Sequence, residues 1–423
     1  MCAESLASLN GASQARVSGG NARRFYRLEA QTPKIRFKYE AYLPKIRFMW
    51  IWQSKAWPNF VYDAQTLQPA LASARLAQGR MLGVASSLKL VDLAALQLDG
   101  WAEEAVATAQ IEGEVLQVNS VRASAARRLG MEGASRARRD ARTEATLDIL
   151  QAAVQGWDKP LKQAALLDWH AALFPTGRSG VKRLTPGAWR THTEPMQIVT
   201  ERLGKSDIVH YEAPASHAVP AEMKALLAWF EAHRIKPAMD GIVRSAIAHL
   251  WFEVVHPFED GNGRIGRALS ELALAQDMHS SQRLFSLSHQ MLQDRAGYYE
   301  QLNAASAQGR MDVTAWVLWF VQCVENACLA TLGHMQSASA KTRYWSAMNE
   351  EHPKLTASQK KVLNKLYDAG PGGYSGGMST EKYVAIAGVS RATAYRELTA
   401  LVEAGLLLRT GQGRGTRYEI AAP

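Results

Sequence analysis

Cysteine is almost absent from this sequence: the 423 residues include three, Cys2, Cys323 and Cys328. Three cysteines cannot build a disulfide framework, and Cys323 and Cys328 lie in a tryptophan-rich helical pattern rather than at a metal-ligand spacing. No uninterrupted apolar run reaches the roughly 18 residues that a membrane helix needs, and no secretory signal is evident near the N-terminus. We therefore expect a protein of the reducing cytoplasm without a membrane partner.

Acidic residues are scarce at both ends of the chain. Residues 1–48 hold nine Lys and Arg against three acidic residues, a net charge of +6, and residues 352–423 hold ten against five, a net charge of +5. Because the whole chain carries +10, the long middle part is close to neutral. Any contact with nucleic acid is therefore expected at the ends.

The length of the chain predicts about two to four domains. We expect a basic, disordered tail over residues 1–48, which contains the sequence Pro-Lys-Ile-Arg-Phe twice. The alternative is that translation starts at Met49, in which case the protein lacks this tail. Residues 49–130 are predicted to form an N-terminal helical domain, residues 131–337 a helical core interrupted by one β-hairpin, and residues 338–423 a helix-turn-helix domain. The predicted fold class is mainly α.

The motif that indicates chemistry follows a helical apolar run ending at Val255 and reads His-Pro-Phe-Glu-Asp-Gly-Asn-Gly-Arg-Ile-Gly-Arg over residues 256–267. Pro257 ends the first helix. Gly261 and Gly263 permit a tight turn whose backbone N–H groups open a second helix. Such a turn attracts anions because its amides are unpaired and the helix dipole favours negative charge.

The side chains of the motif suit the same anionic ligand. Arg264 and Arg267 lie three residues apart, so they share a helix face and can hold neighbouring phosphates. Asn262 adds a neutral donor, and Asp260 is a hard oxygen ligand for Mg²⁺. His256 is expected at the rim with a pKa near neutrality, as a general base requires. Together these groups favour the attack of a hydroxyl on a phosphoryl centre.

These twelve residues resemble the signature of the Fic family position by position. Fic proteins are compact helical domains, and most characterised members transfer AMP from ATP to a Ser, Thr or Tyr hydroxyl of a target protein. The resemblance implies that His256 deprotonates the target hydroxyl, that Asp260 holds Mg²⁺, and that a hairpin near 190–213 is a flap that aligns the target by strand addition. It implies ATP contacts from Glu112, His256, Gly261, Asn262, Gly263, Arg264, Ile265, Gly266, Arg267 and Tyr298.

A second motif lies upstream, where Thr108 and Glu112 are one helical turn apart and Gly113 follows. Beside the Fic signature it resembles the family's inhibitory motif, a Ser or Thr followed four residues later by Glu and then by Gly or Asn. The resemblance implies that Glu112 pairs with Arg267, takes that arginine from the γ-phosphate and leaves the α-phosphate misaligned. The chain would then restrain itself.

The C-terminal region is predicted to be a winged helix. Helical patterns run from Leu355 to Ala369, from Ser379 to Ala387 and from Arg391 to Ala404, and two strands flank a loop over residues 411–415. Four residues would form the recognition face: Arg391, Thr393, Tyr395 and Arg396. The charge of +5 over residues 352–423 favours binding to DNA, and protein docking or dimer contacts are the alternative because this fold does not fix function.

Three functions follow from these motifs. The first is a self-restrained protein adenylyltransferase that uses ATP and Mg²⁺ and acts on a target protein hydroxyl. The second keeps the chemistry but removes AMP or transfers another nucleotide. The third is a DNA-binding regulator whose Fic core senses nucleotides. We also expect a homodimer and consider self-modification of the chain.

Overall fold

The computed structural model describes residues 35–37, 50–131, 139–200, 208–307, 309–352, 354–369, 374 and 377–421. Within these residues the chain is mainly helical, which confirms the predicted fold class. Three clusters of buried apolar side chains hold the helical body together. A fourth cluster is confined to the C-terminal part of the chain.

The predicted basic tail lies almost entirely outside the described residues. Residues 35–37 are described and form strand β1 (Ile35–Phe37). The predicted N-terminal helical domain contains three helices, α1 (Ala64–Ser86), α2 (Leu90–Ile111) and α3 (Val118–Arg128). Asp63 begins α1 because its carboxylate accepts a hydrogen bond from the Gln65 N–H group at 2.9 Å. Both elements that matter for the site, α2 and the turn after it, belong to this domain.

The helical body continues with eight helices in the described part of the chain. They are α4 (Ala141–Gln155), α5 (Gln163–Leu173), α6 (Val219–Ile235), α7 (Gly241–Val255), α8 (Asn262–Asp277), α9 (Leu287–Gln293), α10 (Arg295–Ser306) and α11 (Thr314–Glu351). Every residue from Ile242 to Val255 is buried, including the polar residues Arg244, Ser245, His249 and Glu253. α7 is therefore the central helix, and it contacts α6, α8, α10 and α11.

Two antiparallel hairpins interrupt the helices. The first joins β2 (Arg178–Ser179) to β3 (Lys182–Arg183) and was not predicted. The second joins β4 (Gln197–Thr200) to β5 (Ile208–Glu212), which confirms the hairpin expected near 190–213; its tip lies outside the described residues. β1 pairs antiparallel with the other edge of β4, so the sheet has the order β1-β4-β5.

The C-terminal unit contains α12 (Ala357–Asp368), α13 (Thr380–Ala387), α14 (Arg391–Glu403), β6 (Leu407–Thr410) and β7 (Arg417–Ile420). The two strands pair antiparallel, so the elements follow the order that a winged helix requires. Ser390 begins α14, since its hydroxyl accepts a hydrogen bond from the Thr393 N–H group at 3.2 Å.

The helix α11 runs without a break across the domain boundary that was predicted between residues 337 and 338. By length and composition it could cross a membrane, and 56% of its most apolar stretch is buried inside the protein. Cys323 and Cys328 both lie in this helix as buried, unpaired thiols.

Candidate active site

The loop between α7 and α8 is closed by its own side chains. Oδ1 of Asn262 accepts from the Phe258 N–H group at 2.9 Å, and Nδ2 donates to the Phe258 carbonyl at 2.8 Å. The Phe258 ring is fully buried and stacks on His170 at 4.2 Å between centroids. The Asn262 side chain was expected to be a donor to the ligand. In this structure it fixes the shape of the loop, and one of its two N–H hydrogens is used by the Phe258 carbonyl.

Two glycines keep this loop open where a side chain would obstruct it. Gly261 has φ of 82°, a left-handed conformation, and a Cβ atom there would lie 2.9 Å from the Phe174 ring. At Gly263 a Cβ atom would lie 2.3 Å from Oε1 of Glu112. The space above Gly263, at the N-terminus of α8, is therefore filled by a carboxylate. A negative charge thus lies at the first turn of α8, the end of a helix that the helix dipole makes favourable for anions.

His256 terminates α7 in a left-handed conformation with φ of 47°. Arg190 holds it there: Nε donates to the His256 carbonyl at 2.8 Å, and Nη2 donates to the carbonyls of Val255 at 3.2 Å and of Pro214. Sequence analysis missed Arg190, because nothing local marks an arginine that is 2% exposed and caps the end of a distant helix.

The environment of His256 differs from the prediction. The side chain is buried rather than at a rim, and its pKa is about 4 rather than near neutrality. Burial lowers this pKa most, since the imidazolium loses its hydration, and the positive charge of Arg190 lowers it further. At pH 7 the imidazole is therefore neutral, which is the form that accepts a proton.

Glu253 lies one turn before His256 and was also missed. Its Oε2 atom is 3.9 Å from Nδ1 of His256, and Oε1 has no hydrogen-bond partner among the described residues. Burial raises the pKa of Glu253 to about 8, despite the opposing charge of Arg267. At pH 7 the site thus contains a neutral carboxylic acid beside a neutral imidazole.

Asp260 lies at the mouth of the loop with part of its side chain exposed to solvent. It accepts hydrogen bonds from the Ser179 hydroxyl, at the end of β2, and from the Gly261 N–H group at 2.5 Å. No group of three His, Cys, Asp or Glu side chains that could hold a metal occurs in the described ranges. A single half-exposed carboxylate nevertheless fits Mg²⁺, which keeps several waters and takes its other ligands from phosphates.

The two arginines of the motif share one face of α8, as predicted, and each meets residues from the end of α2. Arg267 is 1% exposed. Its Nε atom donates to the Thr108 hydroxyl at 2.8 Å, and Nη2 donates to the Thr108 carbonyl at 3.0 Å and to Oε1 of Glu112 at 2.8 Å. Arg264 forms an ion pair at 3.0 Å with Glu114, a residue that sequence analysis did not select.

Three residues predicted to contact ATP are buried in this structure. Ile265 is fully buried and its N–H group bonds to the Gly261 carbonyl at 3.1 Å. Gly266 faces α7, where a Cβ atom would lie 2.4 Å from Oε1 of Glu253. Tyr298 is 1% exposed and its hydroxyl pairs with Nε2 of His249 at 2.9 Å. The helical period turns the first two towards α7, and His249 satisfies the hydroxyl of the third.

Comparisons with known proteins agree with the geometry of this loop. Residues 160–274 match the Fic/DOC family, and residues 50–131 match a domain of unknown function (DUF4172). The chain is 35% identical over 129 residues to "Protein adenylyltransferase fic-1" of Caenorhabditis briggsae, which covers 30% of this chain and 23% of that protein. It is 38% identical over 77 residues to "Probable protein adenylyltransferase" of Aquifex aeolicus, which covers 17% and 23%. The chain thus spans about a quarter of the length of these relatives.

Two solved structures resemble the chain at low sequence identity. A Fic family protein from Desulfovibrio desulfuricans G20 is 20% identical, has a TM-score of 0.45, and the match covers 84% of this chain and 97% of that one. A Fic domain containing signaling protein from Bacteroides thetaiotaomicron is 16% identical, has a TM-score of 0.49, and the match covers 64% and 97%.

Proposed function

We propose that this chain, whose residues 160–274 match the Fic/DOC family, is a protein adenylyltransferase that transfers AMP from ATP to a Ser, Thr or Tyr hydroxyl of a target protein. One observation carries the proposal: a single turn holds a neutral imidazole, a helix N-terminus that already accommodates an anion, and two arginines on the same face. Relatives named as protein adenylyltransferases support the same reaction class.

In the proposed reaction each group has one role. The α-phosphate lies against the backbone amides of Gly261 and Gly263, and Arg264 and Arg267 hold the β- and γ-phosphates. The target oxygen forms a bond to the α-phosphorus while the bond to the β-phosphate oxygen breaks, and pyrophosphate leaves. His256 accepts the hydroxyl proton, for which its neutral form is ready at pH 7. Asp260 would hold Mg²⁺, which would neutralise phosphate charge when bound.

The hairpin of β4 and β5 is proposed to position the target. An extended target segment would add to this sheet through backbone hydrogen bonds, which align a chain without selecting one side chain. β1 already pairs with β4, and β5 is the outer strand on the other side of the described sheet. The acceptor is proposed to be a hydroxyl of another protein, with self-modification and a homodimeric state as further proposals.

Glu112 is proposed to inhibit the reaction. Its carboxylate fills the space above Gly263 and pairs with Arg267 at 2.8 Å. The γ-phosphate of ATP must therefore displace this negative charge before it can reach Arg267. Nη1 of Arg267 has no hydrogen-bond partner among the described residues, so one donor remains for an incoming phosphate.

The test compares AMP incorporation from labelled ATP by the wild type, Glu112→Gly and His256→Ala. We expect Glu112→Gly to raise incorporation on the order of 100-fold, because correct alignment of reacting atoms is worth that much, and His256→Ala in the Glu112→Gly background to abolish it. Equal incorporation by wild type and Glu112→Gly would contradict the inhibition. Offering GTP, UTP and CTP as donors, and an AMP-modified target as substrate, separates the adenylyltransferase from transfer of other nucleotides and from removal of AMP.

A second function, binding to duplex DNA, is proposed for the C-terminal unit. Arg391, Tyr395 and Arg396 are exposed on α14, and the region carries a net charge of +5. Basic and aromatic side chains on the second helix of a helix-turn-helix are suited to the major groove and its phosphates. The alternative is protein docking through the same face. An absence of DNA binding by the full chain would favour this alternative.

A further inference from the structure

Glu114 forms a second ion pair over the proposed nucleotide site. Its Oε1 atom lies 3.0 Å from Nη1 of Arg264, whose side chain is 9% exposed, whereas Glu114 itself is 32% exposed. The other carboxylate near Arg264 is Asp260, whose Oδ1 lies farther away, at 3.5 Å from Nη2. Glu114 is therefore the closer carboxylate on the first arginine, as Glu112 is on the second.

The end of α2 explains why both carboxylates reach α8. Gly113 adopts φ of 77°, its N–H group bonds to the Gln110 carbonyl at 3.0 Å, and the Glu114 N–H group bonds to the Ala109 carbonyl at 2.9 Å. These two bonds form a Schellman motif, which reverses the chain at the glycine. As a result the residues on both sides of Gly113 contact arginines of the same helix.

Arg264 would stay in place without Glu114. Its guanidinium lies 5.2 Å from the centre of the Phe174 ring, and Asp260 attracts it from the other side. Loss of the Glu114 charge would therefore leave the arginine oriented and more available to a phosphate, rather than free to move away.

We propose that Glu114 determines which nucleotides the site can bind, because it competes with the β-phosphate for Arg264. The inference rests on the proposed function, which assigns the β-phosphate to Arg264 and the γ-phosphate to Arg267. AMP then has to displace neither carboxylate from an arginine, ADP has to displace Glu114, and ATP has to displace both Glu114 and Glu112.

This assignment predicts different effects of the two carboxylates along the series AMP, ADP and ATP. Calorimetric titration of the full chain in the presence of Mg²⁺ measures the Kd of each nucleotide for the wild type, Glu114→Gln, Glu112→Gly and the double variant. Glu114→Gln should lower the Kd of ADP and of ATP by similar factors, on the order of fivefold for a half-exposed ion pair, and leave that of AMP unchanged. Glu112→Gly should improve ATP more than ADP.

The matched control is Glu103→Gln, which makes the same substitution on α2, the helix that precedes Glu114. Glu103 is partly exposed, and no hydrogen bond or ion pair links it to another described residue, so the Kd values should stay at the wild-type level. Thermal unfolding of each variant separates loss of the fold from a change in the site.

The outcomes separate this inference from the proposed function. If Glu114→Gln leaves the Kd of ADP unchanged, or improves AMP as much as ADP, Glu114 does not act on the β-phosphate and the inference is overturned. If the nucleotides bind in the predicted order but the double variant transfers no AMP, the inference stands and the proposed reaction fails. If the double variant binds no nucleotide, both are overturned.

Discussion

At the scale of single residues, the charge of the site comes from its arginines, because the two buried titratable groups beside them, His256 and Glu253, are neutral at pH 7. His256 is neutral at pH 7 because burial lowers its pKa to about 4. Glu253 is neutral because burial raises its pKa to about 8. A charged Glu253 would compete with the ligand for Arg267, whereas its protonated form does not. The two neutral groups thus leave the guanidiniums for phosphate or, in this structure, for the carboxylates of α2.

The raised pKa of Glu253 predicts a pH-dependent effect on stability. The ordinary pKa of this side chain is 4.5, and its pKa in the folded protein is about 8. Between pH 4.5 and pH 8, the folded state therefore holds a proton that the unfolded state has lost. The free energy of unfolding of the wild type should therefore fall with rising pH relative to Glu253→Gln, by about 1 kcal/mol per pH unit. Urea unfolding of both proteins at pH 5, 6, 7 and 8 measures the difference.

The amide of Gln does not titrate, so the difference in free energy of unfolding between the wild type and Glu253→Gln changes with pH only through Glu253. This change with pH, and not the size of the difference at one pH, tests the prediction. Glu271, whose pKa is raised to about 7, is present in both proteins and cancels. A difference that stays constant from pH 5 to pH 8 would show that Glu253 is charged in the folded protein. Glu103→Gln should show no such slope relative to the wild type.

At the scale of elements, the site depends on a turn whose two sides come from distant parts of the chain. The sequence motif predicted the loop, its glycines and the helix face of the two arginines. It did not predict Arg190 or Glu114, because each reaches the motif only through the packing of another element. For the same reason the burial of Ile265 and Tyr298 was not predicted: a linear pattern does not say which residues of a helix face the core.

Arg190 is expected to stabilise the end of α7 more than any local interaction there. It satisfies the carbonyls of Pro214, Val255 and His256, and a buried carbonyl without a partner costs about 1–3 kcal/mol. Arg190→Ala should therefore lower the free energy of unfolding by about 3 kcal/mol or more, measured by urea denaturation. In the Glu112→Gly background it should also reduce AMP transfer, since His256 loses its support.

Arg190→Lys is the matched variant. A lysine restores the charge but not the planar set of donors that reaches three carbonyls. The free energy of unfolding of Arg190→Lys should therefore lie between that of the wild type and that of Arg190→Ala. Equal stability of the lysine variant and the wild type would mean that the charge alone matters, and that the end of α7 does not depend on the hydrogen bonds.

Regular elements with a clear period were predicted better than short or continuous ones. The hairpin of β4 and β5 was expected because each strand has adjacent β-branched residues, Ile198-Val199 and Ile208-Val209. The hairpin of β2 and β3 has strands of two residues each, too short for any period. The end of α11 was not predicted, since its helical pattern continues through the boundary expected between residues 337 and 338 and reaches Glu351.

At the scale of the whole molecule, the C-terminal unit has its own core and is linked to the body through α11. Its cluster of buried apolar side chains includes Val362, Tyr383, Leu398 and Tyr418, all of them beyond the end of α11. An ion pair between Lys341 and Asp368, at 2.7 Å, joins the two on the surface. The proposed nucleotide site lies between α2, α7 and α8 and takes none of the described residues of the C-terminal unit. The two proposed functions should therefore be separable.

A chain shortened to residues 1–351 should separate the two proposed functions. Such a protein should keep AMP transfer in the Glu112→Gly background, because each residue assigned to the reaction precedes the deletion. It should lose binding to duplex DNA, which the full chain is expected to show with strong dependence on salt. For about four phosphate contacts, affinity should fall on the order of 100-fold between 50 and 200 mM salt. Arg391→Glu, on exposed surface, should weaken DNA binding in the full chain without affecting transfer. If the shortened chain still binds DNA, the contact lies in the basic N-terminal residues, which carry a net charge of +6. If the full chain binds no DNA even at low salt, the DNA-binding proposal is wrong and protein docking is favoured for the C-terminal unit.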